Sequence, residues 1–360
     1  MRFLVLLHFI VISVCIYTQE IPEKITLLFV GDLMQHKGQI DAAKTSTGYD
    51  YSDCFKYVKN EISKADIAIG NLEVTLGGRP YTGYPMFSAP DEYLYTIKEA
   101  GFDVLLTANN HCLDRRKKGL ERTILMLDSL KIPYLGTYRN KEEREKNYPL
   151  LICKNGFKIA LLNYTYGTNG IKVEPPNLVN YIDKEEMAKD IQKARAMRPD
   201  LIIACMHWGN EYKSLADKIQ KEMADWLLSQ GVNHIIGAHP HVLQPMEIRN
   251  QSHSLDQNIV VYSLGNFISN MSTRRTDGGA IFKLELTKIN NITKILNCSY
   301  SLTWTSRPAL SKKKNYIIYP VTGKRDSMNV EEIKCLNIFT KDARELLDKH
   351  NRGIDEYIFE

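Results

Sequence analysis

Apolar runs alternate with amphipathic stretches along most of the chain. Residues 25–30, 67–69, 103–107, 201–206, 234–236 and 259–264 are short, mostly apolar runs and predict strands. Residues 52–64, 91–100, 117–130, 184–197 and 214–230 predict helices, with Gly101 and Gly231 placed where a helix stops. Residues 150–164, divided by Asn155-Gly156, predict a hairpin, and 280–289 a further strand. Helical connections between strands favour an α/β fold with at least one largely parallel sheet, to which the hairpins add antiparallel pieces. Past a lysine-bearing stretch at 311–315, residues 316–321 are strand-like and 330–357 form a charged, helical tail. This divides the chain into a leader at 1–19, one large domain at 25–310 and a strand/helix appendage at 311–360.

The first residues follow a different pattern. Arg2 precedes an apolar run over 3–17, interrupted only by His8 and Ser13. That is the length of a secretory signal and shorter than the roughly 20 residues of a membrane span. The expectation is export to the periplasm or cell surface, with retention as a membrane anchor as the alternative. Composition changes little: 44% hydrophobic, 25% charged and a net charge of +5 describe an ordinary globular protein. No basic tract with interleaved aromatics points to nucleic acid. Seven cysteines show no C-x-x-C pairing, which leaves a zinc ribbon unsupported. Cys153 and Cys205, inside apolar runs, read as small buried hydrophobes.

The chemistry gathers where strands end. Five strand ends deliver Asp32, Glu73, Asn110 with His111, His207, and His239 with His241. In α/β sheets that edge is where ligands bind. Taken singly, Asp32 reads as a turn aspartate, Glu73 as a surface carboxylate and His207 as a core histidine. His239 and His241, two apart, face the same side if the backbone is extended. Together, imidazole, carboxylate and amide oxygen make a mixed N/O set suited to Zn, Mn or Fe. One ion needs about four such ligands, so the set can serve one ion or two.

Read in order, the chain has Gly31-Asp32-Leu33-Met34, Asn71-Leu72-Glu73, Ala108-Asn109-Asn110-His111 with Asp114, His207-Trp208-Gly209-Asn210-Glu211-Tyr212, Gly237-Ala238-His239-Pro240-His241 and Tyr262-Ser263-Leu264-Gly265-Asn266-Phe267. This series resembles the CapA family of poly-γ-glutamate capsule-synthesis proteins, itself similar to calcineurin-like metallophosphatases. The resemblance implies a four-layer α-β-β-α sandwich. It implies Asp32, Glu73, Asn110, His207, His239 and His241 as metal ligands, with Glu73 in the place of the bridging carboxylate. His111 would be general acid or substrate clamp and Asp114 would orient it. Glu211 and Asn266 would contact substrate, or in the case of Glu211 support the ligands. Four departures stand out from a typical metallophosphatase: the second motif offers Asn71 and Glu73 instead of the usual aspartate, and three more follow. Met34 stands where a histidine is usual, with His36 two positions on. Cys112 follows His111, and Arg116 replaces a small residue.

Two functions follow. One is a metal-dependent hydrolase or transferase at the cell envelope, acting in capsule production on a polyanionic polymer or another envelope substrate. The other is a non-catalytic metal- or polyanion-binding component of a membrane-associated synthesis or export complex.

Overall fold

The computed structural model describes residues 23–250, 257–323 and 325–359. The expected leader at 1–19 lies outside them. Among the described residues, no helix is long and apolar enough to cross a membrane.

The strand Glu23–Leu33 is the axis of the first sheet. It pairs in parallel with Ile67–Leu72, which pairs with Val104–Leu106, which pairs with Tyr134–Leu135. On its other side the antiparallel strands Gly278–Ile289, Ile292–Ser306 and Ile317–Pro320 follow. The second sheet has a parallel core of Phe157–Thr165, Leu201–His207, His234–Ala238 and Gln257–Leu264. Leu150–Lys154 and Leu243–Asn250 close its two edges antiparallel. The expected 150–164 hairpin is present, with Asn155 and Gly156 both in the left-handed region that such a turn requires.

Alternation along the first strand shows how the layers stack. Leu27 and Phe29 join one buried cluster with Leu161, Ile203 and Val261 of the second sheet. Leu28 and Val30 point the other way and join Ile62, Leu94, Ile97 and Leu127 on the outer helices. The second sheet is covered in turn by Lys184–Ala196 and Lys218–Ser229, through Met187, Ile191, Met223 and Leu227. The result is the expected α/β four-layer order, helix–sheet–sheet–helix. Each large aliphatic or aromatic side chain buried between the layers contributes about 1.5–3 kcal/mol, which is what holds the two sheets together.

The C-terminal segment packs into this core. Ile317–Pro320 extends the first sheet, and Val330–His350 contributes Leu336, Phe339, Ala343 and Leu347 to the inter-sheet cluster. Helix ends differ from expectation by a few residues. The 52–64 stretch begins as turns and becomes helical only over Lys59–Lys64, and the 214–230 stretch starts at Lys218, where Asp217 caps it. Cys205 is buried as expected, but Cys153 is exposed, because Leu150–Lys154 is an edge strand with an open face.

Close backbone approach, which only glycine permits, joins strand ends at the site. A Cβ on Gly31 would lie 1.9 Å from the Gly265 carbonyl oxygen, and one on Gly237 would lie 2.0 Å from that of Tyr262. The Asp32 N–H donates to Gly265 O at 3.0 Å, which sets the carboxylate where the first strand bulges.

Candidate metal centre

The five strand ends converge. Asp32, Glu73, Asn110, His111, Asp114, His207, His239 and His241 are all buried along one seam between the sheets. Glu73 is therefore no surface carboxylate: it is fully enclosed, 3.6 Å from His207 Nε2 and 3.8 Å from His241 Nε2. Donor atoms of Glu73, His239 and His241 lie within 4.8 Å of one another, and so do those of Asp32, Glu73 and His207. Glu73 is common to both groups.

The polar accounting supports a cation here. Neither Glu73 oxygen receives a hydrogen bond, and His239 Nδ1 also has no partner. A buried polar atom left this way costs about 1–3 kcal/mol, more if charged. Burial and the neighbouring Asp32 carboxylate push the Glu73 carboxyl well above its usual range. Burial alone would raise Asp32 as well, but the His241 hydrogen bond and the His241 and His207 charges hold it at about 2. Burial, followed by the neighbouring imidazoles, lowers His207 well below its normal value and His239 to about 3. Both are thus held neutral, the form in which imidazole ligates. The donor set is oxygen and nitrogen without thiolate, and it fits a divalent cation.

His239 and His241 are not extended. Their φ angles are 101° and 57°, left-handed values that are strained for residues other than glycine. They still face one site, with ring centres 5.8 Å apart, because the turn and not strand alternation aims them. Tyr212, also left-handed at φ 65°, donates its N–H to Pro240 O at 2.8 Å and ties a second loop to this turn.

Around the donors, amides fix orientation. Asn71 Nδ2 donates to Asp32 Oδ1 at 2.7 Å and lies 3.2 Å from His207 Nδ1. His207 Nε2 lies 2.7 Å from Asn110 Oδ1, and Asn109 Nδ2 donates to Leu72 O. His111 Nδ1 is 2.7 Å from Asp114 Oδ2, which also accepts the Phe87 N–H at 2.7 Å. The Phe87 ring meets His111 edge-on at 4.6 Å.

The two residues expected to contact substrate differ in burial. Asn266 is buried, with Oδ1 3.0 Å from His241 Nδ1 and Nδ2 donating to Thr276 O, so that it orients His241. Glu211 is exposed, and its charge acts on both Glu73 and His241, which places it beside the mouth of the site.

The departures from the metallophosphatase pattern also have physical readings. Met34 is core, its carbonyl accepting from Tyr93 Oη and Gln39 Nε2. His36 makes no bond to the donor cluster. It sits at the start of the helix Lys37–Ala43, against Gln39 and the Phe87 ring, and burial lowers it to about 4. The imidazole beside Asp32 is instead that of His241, with Nδ1 3.2 Å from Asp32 Oδ2. Arg116 has a φ of 52°, which explains why a small residue suits that position.

Reading strand ends missed two residues at the site. Tyr166 and Asn169 follow the strand Phe157–Thr165, whose end carries no histidine or carboxylate and so gave no signal. Tyr166 lies over His239 with ring centres 4.5 Å apart and is 47% exposed.

The CapA capsule biosynthesis protein of Bacillus anthracis is 30% identical over 278 residues, 73% of this chain and 64% of its own length. The PGA biosynthesis protein CapA of Bacillus subtilis (strain 168) is 27% identical over 272 residues, 72% of this chain and 67% of its own. The chain thus spans about two thirds of the length of these relatives. Among solved structures, the NAD nucleotidase NadN of Haemophilus influenzae superposes with a TM-score of 0.49 at 12% identity, over 90% of this chain and 68% of that one. The calcineurin-like phosphoesterase YfkN of Bacillus subtilis gives 0.47 at 13%, over 90% and 98%. Both superpositions are too loose to carry a functional inference. The profile of the bacterial capsule synthesis protein PGA_cap matches residues 26–271, including every strand end of the site, and the chain belongs to that family.

Proposed function

We propose that this chain is a metal-dependent hydrolase or transferase that serves production of a poly-γ-glutamate capsule at the cell envelope. The observation that carries the reading is Glu73: a buried carboxylate without a hydrogen bond, shared by two groups of donors. The capsule assignment rests on the names of the relatives, and export rests on the apolar run at residues 3–17.

Asp32, Glu73, Asn110, His207, His239 and His241 would hold one or two divalent ions, Mn, Zn or Fe. Bound there, such ions supply a water of lowered pKa and polarise the bond under attack. The protein's own residues do the rest. Asp114 accepts from His111 Nδ1 and so fixes the ring's tautomer and direction, leaving Nε2 as the nitrogen that can hold a proton for a leaving group. The Phe87 N–H keeps Asp114 in place, and the Phe87 ring shields one edge of His111 from water. Tyr166 and Tyr212, 47% and 52% exposed, present phenol faces beside the imidazoles, where a polymer chain would pass.

The test is elemental analysis of the purified protein with a screen of γ-glutamyl amides and phosphoesters. Stoichiometric metal, lost in the His239→Ala/His241→Ala double variant, together with chelator-sensitive turnover is the expected result. Full metal content in the double variant would remove the ligand assignment. Metal without turnover on either class would favour the non-catalytic binding component.

A further inference from the structure

The strand Phe157–Thr165 stands in the parallel core of the second sheet, yet its end offers no ligand. The loop that follows reaches the site all the same. Its Tyr166 N–H donates to His207 O at 3.0 Å, and Thr168 closes the loop by bonding Ile171 O at 2.7 Å and Tyr181 Oη at 3.0 Å. This anchoring presents Asn169, left-handed at φ 51°, to the buried Asn110. Asn110 Nδ2 donates to Asn169 Oδ1 at 3.2 Å. Asn169 Nδ2 lies 3.5 Å from His111 Nδ1.

The consequence follows from amide chemistry. A primary amide has an oxygen end that ligates a cation and an NH2 end that does not. Asn110 is buried with its oxygen toward His207 Nε2 at 2.7 Å, on the side of the donor cluster. If the amide turned round, the cluster would lose one donor and gain a group that repels a cation. The Asn169 carbonyl oxygen opposes that turn, because it accepts only from the NH2 end.

We propose that Asn169 is a positioning residue for the metal centre: by accepting from Asn110 Nδ2 it locks the Asn110 oxygen toward the ions. This rests on the reading of the cluster as a divalent-metal site, but its test does not require turnover. Asn169 is solvent-exposed, so its substitution removes no buried side chain.

The experiment titrates Mn2+ alone into chelator-stripped full chain, for wild type, Asn169→Ala and Asn169→Asp, with thermal unfolding of each as a control for folding. Removing an outer partner of a ligand typically costs about 10–100-fold in metal affinity. Asn169→Ala is expected to weaken Mn2+ binding by about tenfold or more, with at most a small fall in unfolding temperature from alanine in the left-handed region. Asn169→Asp, which keeps the acceptor oxygen, is expected to restore most of the affinity. Equal affinity in Asn169→Ala and wild type overturns the proposal, and so does an Asn169→Asp variant as weak as Asn169→Ala. If wild type itself binds no Mn2+, the metal reading falls and takes this one with it, an outcome distinct from the other two.

Discussion

The two sheets bring different chemistry to one seam. The first supplies oxygen: the carboxylates of Asp32 and Glu73 and the amide of Asn110, with the His111–Asp114 pair beside them. The second supplies the imidazoles of His207, His239 and His241. Neither sheet carries a complete donor set, so the site exists only while the sheets stay packed. Their states also differ. The His111–Asp114 pair is hydrogen-bonded and already aimed, whereas the Glu73 and His239 atoms lack partners. On the proposed function, the fold alone aims the acid, whereas a cation would meet the remaining donor atoms.

The largest expected effect separates those two parts. His111→Ala should retain metal but lower turnover by about 10²–10⁴-fold, the usual weight of a positioned acid. Steady-state kinetics with parallel metal analysis reads both, and loss of metal in that variant would merge His111 with the ligand cluster.

A smaller effect tests the seam. Asn163 of the second sheet accepts the Ala108 N–H of the first at 2.8 Å and donates to Cys205 O at 3.1 Å. Asn163→Ala leaves a buried N–H and a buried carbonyl without those partners, at a cost of about 1–3 kcal/mol. Denaturant unfolding measures it. An unchanged midpoint would show that apolar packing alone sets the distance between the sheets.

The mildest effect is on pH. Without metal, Glu73 is raised, so the folded chain binds a proton there that the unfolded chain releases near the ordinary carboxyl pKa. As pH rises above that ordinary value, metal-free stability therefore falls. Metal binding must displace that proton and the one that the Asp32 hydrogen bond, against burial, favours on His241, so affinity should rise with pH until both groups lose their protons unaided. Mn2+ titrations across neutral pH check this, and a flat profile would mean that Glu73 is already ionised before metal arrives.

Much of this seam was legible in the sequence, for a physical reason. Buried parallel strands are apolar runs, so a histidine or carboxylate at their ends is conspicuous, as with Asp32, His207 and His239. Less legible were features set by backbone shape or by distant partners. The left-handed turn at His239 and His241 replaces the extended arrangement that spacing suggested. The commitment of Asn266 to His241 and Thr276, and of His36 to its own helix start, depends on contacts that no local pattern encodes. Tyr166 and Asn169 sit on a loop of ordinary turn composition. The strand Ile292–Ser306 gave no apolar run, since its first half lies exposed beyond the sheet's covered face.

The central claim is that one carboxylate, Glu73, joins the two sheets' donors into a single metal centre. Metal content of wild type and Glu73→Gln, reconstituted side by side with Mn2+ and read together with their unfolding temperatures, tests it most directly. The account expects wild type to hold stoichiometric metal and Glu73→Gln to lose most of it. The metal-free variant should unfold at a higher temperature than metal-free wild type, because a buried carboxyl beside Asp32 has become a neutral amide. Full metal in Glu73→Gln would contradict the account, and the two sheets would then hold their ions without a shared ligand.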